Sequence, residues 1–204
     1  MLERRQIPNA LTVLRLTMSV VFFALLSLAD TDPAALIASS VLFAAAASTD
    51  ALDGYLARKW NVESAFGRVM DPLCDKVLVL GAFVYLAGPA FADPEGKATQ
   101  ITGVYPWMVV VMLLREFLVT GLRGMVEAAG VEFGANWYGK AKMILQSIGA
   151  PILLVIAAVG VEGETDWLVW PREVLVYAIV AATLLSGYPY VSGAARAMKS
   201  GAAR

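Results

Sequence analysis

The sequence predicts an all-α integral membrane protein with six transmembrane helices and both termini cytoplasmic. Three observations carry this. The chain of 204 residues is 59% hydrophobic and 16% charged, with a mean hydropathy of +0.67, whereas soluble domains run near 45–50% apolar and about 25% charged. Six apolar segments can be drawn, each near the ~20 residues that a spanning helix needs. The Lys and Arg residues gather on one side of the resulting topology.

The first segment, Pro8–Leu28, follows Met1-Leu2-Glu3-Arg4-Arg5 and has no small-residue cleavage site after its apolar run. It is therefore expected to be a retained membrane segment rather than a signal peptide. The remaining five are Pro33–Arg58, Asp71–Phe91, Val104–Ala128, Gly139–Val159 and Arg172–Ala195. Their connections are short. No linker, low-complexity tract or repeat divides the chain, so residues 1–204 read as one domain. An even number of spans puts both ends on one side. That side holds Arg4, Arg5, Arg58, Lys59, Arg68, Lys140, Arg196, Lys199 and Arg204, with Arg15, Lys76, Arg123 and Lys142 close by. The opposite side holds Lys97 and Arg172, among the acids Asp30, Asp32, Asp93, Glu95, Glu162, Glu164, Asp166 and Glu173. The basic side is the cytoplasmic one.

Net charge is -1, which gives no sign of nucleic-acid binding. The single cysteine, Cys74, rules out an intrachain disulfide, and its apolar surroundings point to packing rather than reactivity. There is no histidine, so a zinc site built from His and Cys is excluded and a general base must be a carboxylate, a lysine or something rarer.

Four aspartates stand out against this background. They form the pattern D-x2-D-G-x2-A-R-x8-G-x3-D-x3-D, with Asp50, Asp53, Gly54, Ala57 and Arg58 at the end of the second segment and Gly67, Asp71 and Asp75 around the start of the third. On a helix, Asp50, Asp53, Gly54 and Ala57 share one face, where two small residues leave space beside two acids. Asp71 and Asp75 are also spaced to face together. Pro72 leaves two options there: Asp71 as an N-cap with Pro72 at the first helical position, or a helix that runs on through it. Both options, with the predicted topology, put all four acids at one depth near the cytoplasmic headgroups. Ionised groups are expensive at such a place and mark function by default. Hard divalent cations with oxygen ligands would neutralise them. An ion pathway, or pairing with local basic residues, would also do so.

The eight fixed positions of the pattern resemble the signature of the CDP-alcohol phosphatidyltransferases. These polytopic membrane enzymes displace CMP from a CDP-linked alcohol. The resemblance implies that Asp50, Asp53, Asp71 and Asp75 hold two divalent cations, Mg2+ or Mn2+, and that Asp75 is the base on the acceptor hydroxyl. Gly54, Ala57, Arg58 and Gly67 would line the site of the CDP-linked lipid, bordered by Asn9 and Thr12. Asn9 and Thr12 are equally suited to capping the first helix.

The acceptor is read from other polar residues. Glu116, Thr120, Arg123 and Glu127 form one stripe on the fourth segment, beside Arg115, and Gly139-Lys140-Ala141-Lys142 opens the fifth. Basic residues beside a phosphoryl-transfer site suit a second anionic substrate. Pairing of Arg115 and Arg123 with Glu116, and of the two lysines with anionic headgroups, is the plainer alternative. The stretches Ile7–Arg15, Arg115–Arg123 and Gly139–Lys142 resemble those of bacterial phosphatidylglycerophosphate synthases, which join CDP-diacylglycerol to sn-glycerol 3-phosphate. That resemblance implies an enzyme of the bacterial cytoplasmic membrane, commonly a homodimer, with Arg115, Arg123 and Lys140 on the acceptor phosphate. Inositol phosphate, serine or phosphatidylglycerol as acceptor, and an ion-coupled transporter, are the alternatives. Asp71→Asn is expected to abolish turnover, measured as CMP release from CDP-diacylglycerol in membranes; substantial remaining activity would sink the two-cation assignment.

Overall fold

The structure is a computed structural model that describes residues 6–28, 31–60, 65–92, 100–128, 137–162 and 166–199. The side chains of 6–9, 50–60, 65–69, 71–72, 127–128, 161–162, 166 and 196–199 fall outside that description. So do Arg4, Arg5, Asp30, Asp93, Glu95, Lys97, Glu164 and Arg204, which carry part of the charge asymmetry.

Six helices make up the described chain: α1 (Gln6–Leu28), α2 (Pro33–Trp60), α3 (Ala65–Leu86), α4 (Pro106–Ala128), α5 (Trp137–Glu162) and α6 (Asp166–Lys199). A 3-10 turn at Pro89–Phe91 and an isolated bridge between Ala92 and Gln100 complete it, with no strand among the described residues. Each helix coincides with one predicted segment, with differences at the ends. α3 starts at Ala65 and continues through Asp71 and Pro72, so the option of Asp71 as N-cap falls. α3 stops at Leu86 rather than Phe91, because Pro89 supplies no N–H and holds Gly88 extended, at φ -73° and ψ 165°. α6 begins at Asp166, ahead of the predicted Arg172, and absorbs Pro171 and Pro189 in its interior.

The helices close into a ring in the order α1, α2, α5, α6, α4, α3, with α3 also touching α5 and α2. Phe22 meets Phe43 edge-on at 5.5 Å between α1 and α2, and Phe23 stacks on Tyr85 at 5.6 Å between α1 and α3. Leu78, Phe83, Met108, Met112, Leu153, Leu154 and Ile179 fill the interior with no exposure above 1%. Cys74 is buried among them. The outer faces are apolar as well: Val20, Val41, Leu114, Phe117, Ile148 and Leu185 are all more than half exposed. Polar side chains instead lie inside, including Thr12, Arg15, Ser39, Glu116, Lys142, Gln146, Thr183 and Ser186. Apolar outside and polar inside is the distribution of a bundle whose solvent is lipid.

Interhelical hydrogen bonds fix the register. Ser40 Oγ donates to the carbonyl of Pro151 at 2.9 Å, tying α2 to α5, and Gln146 Nε2 donates to Thr183 Oγ1 at 3.1 Å, tying α5 to α6. Such bonds hold helices together where burial of apolar surface cannot. Stretches within three helices, Ala10–Leu28, Trp137–Gly160 and Trp167–Ala195, are long and apolar enough to cross a membrane among the described residues. α2 contributes the shorter apolar stretch Pro33–Thr49 before its acids begin.

At one end of the ring the α3–α4 connection is clasped against α6. Thr102 Oγ1 donates to the Leu86 carbonyl at 2.7 Å, and Arg172 donates to the Ile101 carbonyl at 3.0 Å and to Glu173 at 2.8 Å. Gly103 sits under that guanidinium at φ +70°, where an added Cβ would lie 2.9 Å from Arg172 Nε. Gly103→Ala is therefore expected to lower stability by about 1–3 kcal/mol through backbone strain and this clash, read as a drop in the unfolding midpoint in detergent.

Candidate functional site

The pairings above run the helices alternately, so the end of α2, the start of α3, the end of α4, the start of α5 and the end of α6 meet at the end opposite the clasp. Asp53 lies seven residues before the end of α2, and Asp71 six residues after the start of α3. At about 1.5 Å of rise per residue, the two acid pairs therefore stand at similar distances from the ends of α2 and α3 that adjoin in the chain. Because α3 is helical through Pro72, Asp71 and Asp75 are one turn apart on one face. The side chains of Asp50, Asp53, Gly54, Ala57, Arg58, Gly67, Asp71 and Asn9 lie outside the described residues. Asp75 is half-buried, and Thr12 and Arg15 are buried within α1 at 2% and 1% exposure.

A cluster of buried charges joins α4 and α5. Glu116 on α4 is buried, and its Oε1 accepts from both Lys142 Nζ on α5 and Arg115 Nη1, the latter at 2.8 Å. Arg115 Nη2 donates to the carbonyl of Ser186 on α6 at 3.1 Å, and its guanidinium lies 5.9 Å from the centre of the Tyr190 ring. Ser186 is held in turn by its own bond to the Thr183 carbonyl at 2.6 Å. Lys142 lies close enough to Asp75 for their charges to interact. One carboxylate oxygen thus joins α4 to α5 directly and to α6 through Arg115. A second link, from Lys76 Nζ on α3 to Thr120 Oγ1 on α4 at 3.0 Å, ties the aspartate helix to the same polar stripe.

The candidate acceptor residues separate in this arrangement. Arg115 takes up the pairing with Glu116 that sequence offered as the plainer alternative. Arg123 and Lys140 are exposed. Lys142 is buried, although sequence read it as equally suited to anionic headgroups. Lys140 and Lys142 are two residues apart, about 200° around a helix, so only one of them can turn inward. The stripe of Glu116, Thr120, Arg123 and Glu127 leaves the interior between its first and second members, and the Glu127 side chain lies outside the described residues. A groove of about 420 Å³ lined by Val169, Trp170, Glu173, Val174 and Tyr177 lies elsewhere. It is about 20 Å along α6 from Ser186 and belongs to the clasp end.

Residues 5–186, which carry both the aspartate pattern and the charge cluster, match CDP-alcohol phosphatidyltransferase. The chain belongs to this family. It is similar to the CDP-diacylglycerol--glycerol-3-phosphate 3-phosphatidyltransferase of Bacillus subtilis, at 32% identity over 206 residues that cover 95% of this chain and 97% of the relative. Against the enzyme of the same name from Rickettsia bellii the identity is 30% over 185 residues, covering 90% and 92%. A probable phosphatidylglycerophosphate synthase of Mycobacterium tuberculosis is 34% identical over 196 residues, covering 93% and 82%. As a CDP-alcohol phosphatidyltransferase the chain is a multi-pass membrane enzyme of phospholipid biosynthesis.

The two arginines of α4 are expected to behave differently in this phosphatidyltransferase. Arg115→Ala removes charge-assisted bonds to Glu116 and Ser186 and should cost about 2 kcal/mol. Arg123→Ala, on an exposed side chain, should cost no more than about 1 kcal/mol. Thermal unfolding of both variants in the same detergent checks the order.

Proposed function

We propose that this enzyme transfers the phosphatidyl group of CDP-diacylglycerol to sn-glycerol 3-phosphate, giving phosphatidylglycerol phosphate and CMP. The aspartate pattern carries the chemistry: it sets four carboxylates on α2 and α3, two helices that touch each other. The names of the relatives support the acceptor, as do the basic residues at the same end of the bundle. In the membrane all six helices span, both termini are cytoplasmic, and the acids face the cytoplasm of a bacterial cell. Homodimerisation is part of the same proposal and follows the resemblance.

Asp50, Asp53, Asp71 and Asp75 suit hard cations, because their donors are all carboxylate oxygens, carried on two helices that touch. Two divalent cations bound there would neutralise the diphosphate and the charge that develops on departing CMP. Gly54 and Ala57 leave room on the face of α2 for the nucleotide to approach the backbone, while Arg58 and Gly67 border it with Asn9 and Thr12. The acyl chains stay in the bilayer and the cytidine sits at the cytoplasmic mouth. Asp75 accepts the proton of the primary hydroxyl of the acceptor. The oxygen so freed attacks the phosphorus that carries the diacylglycerol, and the bond to the CMP oxygen breaks. Arg115, Arg123 and Lys140 are the candidates for holding the acceptor phosphate at this end.

An acceptor screen with labelled CDP-diacylglycerol and CMP release as readout tests the function directly. Turnover is expected with sn-glycerol 3-phosphate. Incorporation from inositol phosphate, serine or phosphatidylglycerol alone would end the acceptor assignment, and no CMP release with any acceptor would end the enzymatic one. Within this scheme Arg123→Ala should raise the apparent KM for sn-glycerol 3-phosphate more than that for CDP-diacylglycerol; equal effects would argue for a structural role.

A further inference from the structure

Glu116 is the one acid among the described side chains that is buried in the bundle. A carboxylate there is costly unless its surroundings hold it. What holds it is unequal in charge: the Lys142 ammonium and the Arg115 guanidinium converge on a single oxygen, with side chains on all three residues about 10% exposed. The ammonium could not hold this place by itself. Lys142 sits on the second turn of α5, on a flexible four-carbon stem, and the polar group that reaches it across the helix interface is Glu116. On its other side Lys142 is within reach of the charge of Asp75. Arg115 is braced from behind by the Ser186 carbonyl and the Tyr190 ring. Glu116 therefore sets where two cationic groups end, one of which, Lys142, is within reach of the charge of Asp75, without itself having to meet a substrate.

We propose that Glu116 is a positioning residue for the acceptor: it fixes Lys142 and Arg115 so that their positive ends form one side of the pocket that receives the acceptor's phosphate beside Asp75. The proposal rests on the function proposed above. It adds Lys142 to the acceptor side and gives Glu116 a role that the motif does not contain. Two cations on one carboxylate leave one positive charge over within these three residues, which an incoming phosphate would share with Asp75. A neutral acceptor gains nothing from it. The two α4 residues thus act on the acceptor and leave the CDP-linked donor, on α2 and α3, to the aspartates.

The full-length protein in mixed micelles serves as the test, with CDP-diacylglycerol and sn-glycerol 3-phosphate each titrated at saturation of the other. Wild-type turnover is measured first, and its absence overturns both the function and this proposal. With turnover present, Glu116→Gln is expected to raise the acceptor KM about tenfold or more and the donor KM by less than about twofold, and Lys142→Met to do the same. Combining the two should be no worse for the acceptor than the worse single change, since Glu116 acts through Lys142. Unfolding midpoints are recorded in parallel. The combined variant, with one buried cation fewer, should recover midpoint relative to Glu116→Gln while its acceptor KM stays raised. Multiplicative effects, equal losses for donor and acceptor, or an acceptor KM that recovers together with the midpoint would each overturn the proposal. If Glu116→Gln fails to fold, Glu116→Asp carries the comparison: a raised acceptor KM with an unchanged donor KM supports positioning, and equal rises overturn it.

Discussion

A carboxylate shut inside an apolar bundle must be met by positive groups, and those groups must come from helices that can reach it. Glu116 imposes this condition on α4, α5 and α6 together. Lys142 can pair with it only if the start of α5 lies beside the middle of α4, and Arg115 can reach the Ser186 carbonyl only if α6 passes between them at a set height. Apolar packing alone would tolerate a slide of one helix along another. A buried ion pair tolerates much less, because a slip of one turn, about 5.4 Å, would leave charges unpaired in the interior. This one oxygen sets the height of α4 against α5 and α6, alongside the Gln146–Thr183 bond that ties α5 to α6.

The same economy explains the distribution of polar side chains. Lipid offers no hydrogen bonds, so each buried hydroxyl finds a partner within the bundle: Thr183 bonds back to the Ile179 carbonyl at 2.7 Å while accepting from Gln146, and Ser39 bonds to the Ala35 carbonyl at 2.8 Å. Among the described residues the buried Glu116, Lys142 and Arg115 cluster lies toward one end, and the clasp around Arg172 stands at the other. Helices α2, α3 and α4 fall short of a fully apolar span because they carry the acids, the basic residues and the polar stripe. The helices that look least like membrane segments are those that carry the aspartate pattern and the polar stripe.

Much of this could be read from the residues in order. The six apolar runs marked the helices because about 20 apolar residues have few other uses, and the pattern around Asp50, Asp53, Asp71 and Asp75 resembled the signature of the family that residues 5–186 match. The path of α3 could not be read, because Pro72 is compatible both with a helix start and with a helix interior that neighbours support. Nor could the difference between Lys140 and Lys142: both are lysines in the first turns of one helix, and only the packing of α5 decides which faces Glu116. Arg115 was ambiguous for the same reason, since pairing with its neighbour and binding a phosphate use the same guanidinium. The clasp was invisible because Gly103 and Arg172 lie far apart in the chain and meet only when α4 and α6 run side by side.

The ring order has a consequence for how the protein is made. α2 packs against α5, and α4 packs against α6, so neither finds its main partner in the helix that follows it. As the chain emerges, the two helices that carry the aspartates are made well before α5 exists to seat α2. Glu116 enters with Arg115 beside it, but Lys142 arrives only with the next helix and Ser186 only with the one after. Until then, an acid waits in a half-built bundle. Assembly therefore joins the hairpins α1–α2 and α5–α6 and then closes a circle, and the charge cluster is not complete until α6 lies beside α4 and α5.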